Sequence, residues 1–167
     1  MLCATISGPT FAEAEQQLLH SLPLVDSIEL RIDYLLSLSS DELKHLIALA
    51  KKPILTLRKN PSLSEIAWIE RTIQLAELQP EYLDIDKDFP KEALAKIQKN
   101  YLNIKIILSY HSDTSEHIPN LCNEMLRRQA HHYKIAITST KSIDTLRCIQ
   151  IKQHLPENTT LLCMGNA

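Results

Sequence analysis

Short apolar segments alternate with longer amphipathic segments along the whole chain. The short segments have strand character, and we predict seven strands, at Leu2–Ser7, Val25–Asp33, Ile54–Arg58, Tyr82–Asp86, Lys105–His111, Tyr133–Thr138 and Thr160–Met164. Helices are predicted between them, at Ala12–Ser21, Asp41–Lys51, Ser64–Leu78, Lys91–Lys99, Pro119–His131 and Ile143–His154. Two helix starts contain a capping-box pattern, Ser39 with Glu42 and Ser62 with Glu65.

Regular alternation of strand and helix predicts a parallel sheet covered by helices. Two architectures satisfy this pattern: an open doubly wound sheet and a closed (β/α)8 barrel. The chain has only two glycines, Gly8 and Gly165, so it lacks the glycine-rich dinucleotide fingerprint of many open sheets. The inner faces of the strands therefore decide between the two.

Side chains along a strand point alternately to opposite faces. In the second strand, one face carries Ile28, Leu30 and Ile32, and the other carries Glu29, Arg31 and Asp33. Polar residues share one face of the later strands in the same way: Thr56 and Arg58; Asp84 and Asp86; Ser109 and His111; Lys134 and Thr138. Central strands of an open sheet should be apolar on both faces. We therefore predict a TIM (β/α)8 barrel, formed by residues 1–167 as one domain, with its polar faces lining an interior cavity.

Composition and charge narrow the functional classes. Hydrophobic residues make up 44% and charged residues 23% of the chain, and the formal net charge is -2. Neither nucleic acid nor a membrane is therefore expected as a partner. The first residues lack the pattern of a secretory signal, so a cytoplasmic location is expected. We interpret the four cysteines as reduced and mostly buried.

Lys134 is the most informative residue, because a lysine on the cavity face of a strand is seldom fully buried without a partner or a function. Desolvation lowers a lysine pKa and frees the amine to attack carbonyls. The alternative is a lysine at the N-terminal edge of the strand, extended into water. His111 ends a strand, where barrel active sites gather, and an imidazole suits general acid–base work. The alternative for His111 is a surface position at the start of a loop.

Glu29, Arg31 and Arg58 can point into the same cavity. Arginines there suit the planar recognition of a carboxylate. The alternative is a structural ion pair of Glu29 with Arg31 or Arg58. Asp84 and Asp86 are expected to be either supporting acids or solvated charges. We interpret the remaining histidines, which lie on predicted helices or their ends, as solvated: His20, His45, His117, His131, His132 and His154.

These motifs together resemble the type I 3-dehydroquinate dehydratases. Glu29-Leu30-Arg31-Ile32-Asp33 resembles the E-x-R-x-D second strand of that family. Leu55-Thr56-Leu57-Arg58 resembles its T-x-R third strand, and Leu83-Asp84-Ile85-Asp86 its fourth. Leu108-Ser109-Tyr110-His111 is similar to the strand that carries its catalytic histidine, and Tyr133-Lys134-Ile135-Ala136 to the strand with its Schiff-base lysine. Leu162-Cys163-Met164-Gly165 resembles its seventh-strand motif.

The resemblance implies roles for particular residues. Lys134 would form an imine with the ketone of 3-dehydroquinate, and His111 would remove the adjacent proton and assist loss of water. Glu29, Arg31 and Arg58 would hold substrate hydroxyl and carboxylate groups, and Thr5 would line the cavity. The implied product is 3-dehydroshikimate, in the shikimate pathway. No metal or organic cofactor is implied, and the expected partner is the small-molecule substrate; a homodimer is compatible with the sequence.

Two departures from the family are visible. Many members have E-G-G after the third-strand arginine, whereas this chain reads Lys59-Asn60-Pro61-Ser62-Leu63-Ser64-Glu65; Glu65 or Asp84 could replace the missing acid. The chain also ends just after its seventh strand. The family's carboxylate-binding arginine, eighth strand and lid loop would lie beyond, so we expect a C-terminally incomplete barrel. We expect it to be open between the seventh and first strands and poorly stable alone. In some organisms the family's barrel is fused to a shikimate dehydrogenase, and this chain could be the front of such a fusion.

Two other functions remain open at this point. One is another lysine-imine barrel of the class I aldolase or transaldolase type, which the E-x-R-x-D strand disfavours. The other is a degenerate barrel that binds a small carboxylate without turnover, which the missing acid and the missing arginine favour.

Overall fold

The computed structural model describes residues 2–113 and 118–165 of the chain. These residues form two compact units. The first comprises residues 2–84 and 89–104, and the second comprises residues 85–88, 105–113 and 118–165. His117, which was interpreted as solvated, lies outside the described residues.

The first unit is built from parallel strands with helices between them. Its elements are β1 (Cys3–Ile6), α1 (Phe11–Ser21), β2 (Ser27–Arg31), α2 (Ser40–Leu49), β3 (Pro53–Thr56), α3 (Glu65–Glu77), the first three residues of β4 (Tyr82–Asp86) and α4 (Lys91–Asn100). The strands pair in chain order, β1 to β4. Thr5 is the register partner of Glu29, and Thr56 is the partner of both Arg31 and Asp84. The polar residues therefore share one face, as the alternation predicted.

The opposite face of these strands forms the core of the unit. Ile28, Leu30 and Leu55 have no exposed surface, and Leu83 is 1% exposed. The helices cover this face with apolar side chains such as Leu18 and Leu46, which are also fully buried. Burial of this kind contributes roughly 25 cal/mol per Å² of apolar surface, so it is the main force that holds helix to strand.

The second unit continues the same pattern. It contains the carboxyl end of β4, then β5 (Lys105–Ser112), α5 (Ile118–Leu126), β6 (His132–Thr138), α6 (Ser142–Lys152) and β7 (Thr159–Met164). The strands β5, β6 and β7 are parallel neighbours. The residue after β4 joins β5, because the Lys87 backbone N–H donates to the Ser109 carbonyl at 2.8 Å. After β7, Gly165 has φ +115°, and a Cβ there would collide with the Ser139 carbonyl oxygen.

Most predicted boundaries differ from the observed ones by a few residues, and three of the differences matter for the polar residues. The strand β3 ends at Thr56 rather than Arg58, because the next carbonyl, that of Leu57, accepts a hydrogen bond from the Trp68 side chain. The helix α5 ends at Leu126 rather than His131. Just after Leu126 the backbone turns more tightly, because the Arg127 and Arg128 N–H groups each donate to the carbonyl three residues earlier. His132 is consequently the first residue of β6, and its interpretation as a solvated residue near a helix end was wrong.

The helix starts were predicted in part. The capping box of Ser39 and Glu42 is confirmed, and α1 has another at Thr10 and Glu13. The box predicted at Ser62 was wrong: Ser64 caps α3 by accepting from the Ala67 N–H at 3.2 Å. Ser62 instead donates to the Asn60 side chain in the turn before the helix. Its hydroxyl therefore stabilises the turn and not the start of the helix.

The cysteines are free thiols, as predicted, but only Cys122 and Cys148 are buried, whereas Cys3 and Cys163 are exposed. Burial raises the pKa of the Cys148 thiol to about 12, with a further contribution from its hydrogen bond to Cys163. Across the described part of the chain, every helix is too short or too polar to span a bilayer.

The capping box of α2 gives a testable prediction. Replacing Ser39 by Ala removes the hydroxyl that accepts the Glu42 N–H, so the free energy of unfolding should fall by about 1 kcal/mol. Urea denaturation measures the change. Ser40→Ala, one residue further along, leaves both capping hydrogen bonds in place and is the matched control. An equal effect of the two substitutions would contradict the assigned cap.

The same box predicts a pH dependence. The Ser39 N–H and hydroxyl donate to the Glu42 carboxylate and lower the pKa of Glu42 below its ordinary value of 4.5. The folded state therefore favours the charged carboxylate, and this stabilisation is present above pH 4.5 and lost as the pH falls through the lowered pKa. The difference between wild type and Ser39→Ala should accordingly shrink in acid.

Candidate active site

Glu29 is the centre of a hydrogen-bonded group in the first unit. Its carboxylate accepts from the Thr5 hydroxyl at 3.1 Å and from the Thr56 hydroxyl at 2.7 Å. The residue is only 7% exposed. Because a buried carboxylate is costly without donors, hydroxyls on both neighbouring strands are what permit an acid here. Three of the predicted polar positions are thus brought together on β1, β2 and β3.

Arg31 is held by an acid on its own segment. Its Nε and Nη2 donate to the two oxygens of Asp33, at 3.0 and 2.7 Å, which is the bidentate geometry of an arginine–carboxylate pair. The guanidinium also lies 4.9 Å from the centroid of the Tyr34 ring. The hydrogen bond to Asp33 raises the pKa of Arg31 further above its ordinary value. Arg31 is therefore a fixed positive charge.

Arg58 pairs with a buried acid. Its Nη2 lies 3.2 Å from Asp84 Oδ1; the Asp84 side chain has no exposed surface, and that of Arg58 is 15% exposed. The interpretation of Asp84 as a solvated charge was therefore wrong, and the structure supports the other alternative, a supporting acid. Glu65, the other candidate for the missing family acid, is exposed in the first turn of α3, where it lies 3.7 Å from the Lys59 ammonium.

Lys134 and His111 lie on one face of two neighbouring strands in the second unit. Lys134 is the register partner of Ser109, and His111 stands two residues beyond Ser109 on the same strand. From strand spacing and rise, their Cα atoms are about 8 Å apart, within reach of two long side chains. Lys134 is partly buried and His111 is exposed. Ser109, between them, is fully buried and donates to the Ile85 carbonyl at 3.3 Å.

His132 lies on the same strand face, although it was predicted to lie near the end of a helix. It precedes Lys134 by two positions on β6, and its Nε2 lies 2.8 Å from the hydroxyl of Thr160, the register partner of Lys134. Burial lowers the pKa of His132, and the positive charges of Lys152 and Lys134 lower it further, so all three favour the neutral ring. The signal was available in the sequence: positions 132, 134 and 136 have the period of two that places them on one face.

In residues 2–113 and 118–165, no group of three or more His, Cys, Asp or Glu side chains is arranged to hold a metal ion. On the strand face of the first unit the polar groups are carboxylates, threonine hydroxyls and guanidinium groups. On that of the second unit they include the Lys134 amine and the His111 and His132 imidazoles.

Solved structures define the fold. The type I 3-dehydroquinate dehydratase of Clostridium difficile aligns with 98% of this chain and 74% of its own, with a TM-score of 0.78 and 16% identity. The 3-dehydroquinate dehydratase of Geobacillus kaustophilus aligns with 98% of this chain and 72% of its own, with a TM-score of 0.80 and 15% identity. The chain therefore has the fold of these proteins, and the predicted barrel class is confirmed.

Sequence comparison then gives the family. The profile of the family described as type I 3-dehydroquinase matches residues 2–167. The chain is 47% identical, over 165 residues, to the shikimate biosynthesis protein AroDE of Chlamydia pneumoniae, with 99% of this chain aligned. It spans about a third, 35%, of the length of that curated relative. The chain belongs to the type I 3-dehydroquinase family.

The buried pair in the first unit can be tested by stability. Asp84→Ala leaves the Arg58 guanidinium without its buried carboxylate, so the free energy of unfolding should fall by about 3 kcal/mol. Asp88→Ala is the control, because the Asp88 side chain is 68% exposed and pairs with Lys87 at the surface. Its effect should stay within about 0.5 kcal/mol. Equal losses of unfolding free energy in the two variants would contradict the prediction that the buried Asp84–Arg58 pair stabilises the protein more than the surface pair does.

Proposed function

We propose that this chain dehydrates 3-dehydroquinate to 3-dehydroshikimate through a Schiff base on Lys134, as a lyase of the shikimate pathway that supplies aromatic amino acids. The observation that carries the proposal is the placement of Lys134 and His111 on one face of neighbouring strands in a chain of this family. An amine and an imidazole within reach of one small molecule are what imine formation and proton transfer require.

The proposed reaction begins at the lysine amine. Lys134 attacks the substrate ketone and water leaves, which forms an iminium that can accept electrons. His111 then removes a proton from the adjacent carbon, and the iminium stabilises the electron pair left behind. The neighbouring hydroxyl departs as water with the proton that His111 returns. Hydrolysis of the imine releases the product and restores the amine, so the protein is unchanged.

The residues of the first unit are proposed to bind the substrate. Glu29, already held by two hydroxyls, is an acceptor for a substrate hydroxyl. Arg58 supplies a positive charge for a carboxylate. Arg31 uses Nε and Nη2 for Asp33, so its Nη1 hydrogens are the ones proposed for a substrate oxygen. Thr5 is proposed as a lining residue that fixes the Glu29 carboxylate.

The remaining features of the proposal follow from this chemistry. The imine itself is the electron sink, so the proposed reaction needs no organic cofactor or metal. The proposed partner is the small-molecule substrate, and the proposed location is the cytoplasm. A homodimer is a further hypothesis, which sedimentation analysis would test. Residues 1–167 are proposed to belong to one barrel domain.

Lys134 is tested by trapping. Borohydride reduces an imine to a stable amine. Wild type treated with borohydride and 3-dehydroquinate should therefore gain the mass of the bound ketone less one water and plus two hydrogens, on the peptide that contains Lys134. Lys134→Ala should show neither the adduct nor turnover. Lys105→Ala, which removes an exposed lysine from the start of β5, should behave as wild type. Binding of 3-dehydroquinate without any adduct in wild type would favour the non-catalytic barrel instead.

The acid–base role of His111 is tested by finding which step of the reaction slows when the imidazole is removed. General acid–base assistance is worth about 10²–10⁴-fold, so His111→Ala should slow turnover by that factor while imine formation continues. Intact-mass spectrometry should then show the covalent intermediate accumulating. His154→Ala, in the exposed turn after α6, is the control and should turn over normally. A His111→Ala protein that forms no adduct would indicate a structural role for the ring.

A further inference from the structure

The peptide that precedes Arg58 is held by a side chain outside the strand. Arg58 lies two residues beyond β3, so the strand ladder does not fix it. The Leu57 carbonyl instead accepts from the Trp68 indole N–H at 3.1 Å. That carbonyl and the Arg58 nitrogen belong to one planar peptide group, so holding the carbonyl fixes the orientation in which Arg58 leaves it.

The residue after Arg58 contacts the same indole. The Lys59 ammonium lies 5.5 Å from the centroid of the Trp68 ring, in cation–π geometry. Arg58 therefore stands between two neighbours, Leu57 and Lys59, that both contact one aromatic side chain. Of the two contacts, the hydrogen bond to the Leu57 carbonyl acts on the backbone, whereas the Lys59 contact is made by the end of a long side chain.

Trp68 is itself held firmly. It is 2% exposed, and its ring meets the Phe89 ring edge-on, at 5.0 Å between centroids and 85° between planes. The Trp68 carbonyl accepts from the Thr72 hydroxyl at 2.7 Å. Because Leu57 is only 4% exposed, little water can replace the indole as a donor to its carbonyl.

We propose that Trp68 is a positioning residue for Arg58: it fixes the base of the side chain, while Asp84 fixes the guanidinium. This inference rests on the proposed function, in which Arg58 binds the substrate carboxylate. A guanidinium recognises a carboxylate through paired hydrogen bonds with a narrow range of angles. Holding both ends of a long side chain removes the rotamers that would miss that geometry.

The test replaces one atom. The sequence contains one tryptophan, so growth of a tryptophan auxotroph with β-(3-benzothienyl)alanine changes Trp68 alone and puts sulfur where the N–H donor was. The ring, its contact with Phe89 and its position under Lys59 are retained. The KM for 3-dehydroquinate should rise about fivefold, the value of one hydrogen bond, with kcat changed less than about twofold. Trp68→Phe, which also lacks the donor, should shift KM in the same direction.

Phe89→Leu is the matched control. It removes the ring contact and lowers stability but leaves the indole N–H bonded to Leu57, so KM should not change. A merely structural role for Trp68 would move KM in this variant as well. In an Arg58→Ala background, the analogue should have no further effect on KM. A KM unchanged in both donor-lacking proteins, or an effect that persists without Arg58, would overturn the inference.

A second readout needs no turnover. The Nε–Hε order parameter of Arg58, measured by ¹⁵N relaxation, should fall in the benzothienyl protein and in Trp68→Phe, but not in Phe89→Leu. If wild type shows no turnover, the proposed function is wrong, and this measurement alone decides whether Trp68 positions Arg58. An unchanged order parameter in the donor-lacking proteins would overturn the positioning role whatever the activity.

Discussion

Removing a charge from water requires a partner, and this requirement organises the polar strand faces. Glu29 and Asp84 are buried carboxylates on neighbouring parts of the first unit, and each has donors within hydrogen-bonding distance. Without those donors either acid would destabilise the fold by several kcal/mol. The apolar faces of the same strands stabilise the unit, but they only do so if the polar faces are satisfied at the same time.

This constraint links stability to the proposed chemistry. The groups that fix the acids and arginines are threonine hydroxyls, two aspartates and an indole, and they leave the charged groups rigid before any substrate arrives. A rigid, preformed set of charges loses little entropy when it binds a ligand. The interactions that allow charged side chains to be buried in the fold are therefore also those that make the proposed site selective.

The sequence predicted the elements and their faces well, because a strand repeats every two residues regardless of its surroundings. That rule correctly placed Glu29, Arg31, Thr56 and Asp84 on one face, and Lys134 with His111 on another. The family motifs supplied what periodicity could not, namely the reaction and the expected role of each candidate residue.

The errors occurred where another residue forms a hydrogen bond with a group that the local pattern had assigned to a strand or a helix cap. Arg58 lies outside β3 because the Trp68 indole, eleven positions after Leu57, donates to the Leu57 carbonyl. The local sequence pattern does not predict that partner. Ser64 rather than Ser62 caps α3, because the Asn60 turn uses Ser62 first. The partner of Asp84 was equally hidden, since pairing across strands is a tertiary choice.

The register between β5 and β6 has a stereochemical consequence. His111 lies on β5, next to the strand of Lys134, and two residues nearer the carboxyl end than the register partner of Lys134. Under the proposed function it would approach an imine on Lys134 from one side only. The carbon beside such an imine bears two diastereotopic hydrogens, and a base fixed on one side can reach just one of them. Under the proposed function, backbone hydrogen bonds between two strands would thus determine the handedness of the elimination.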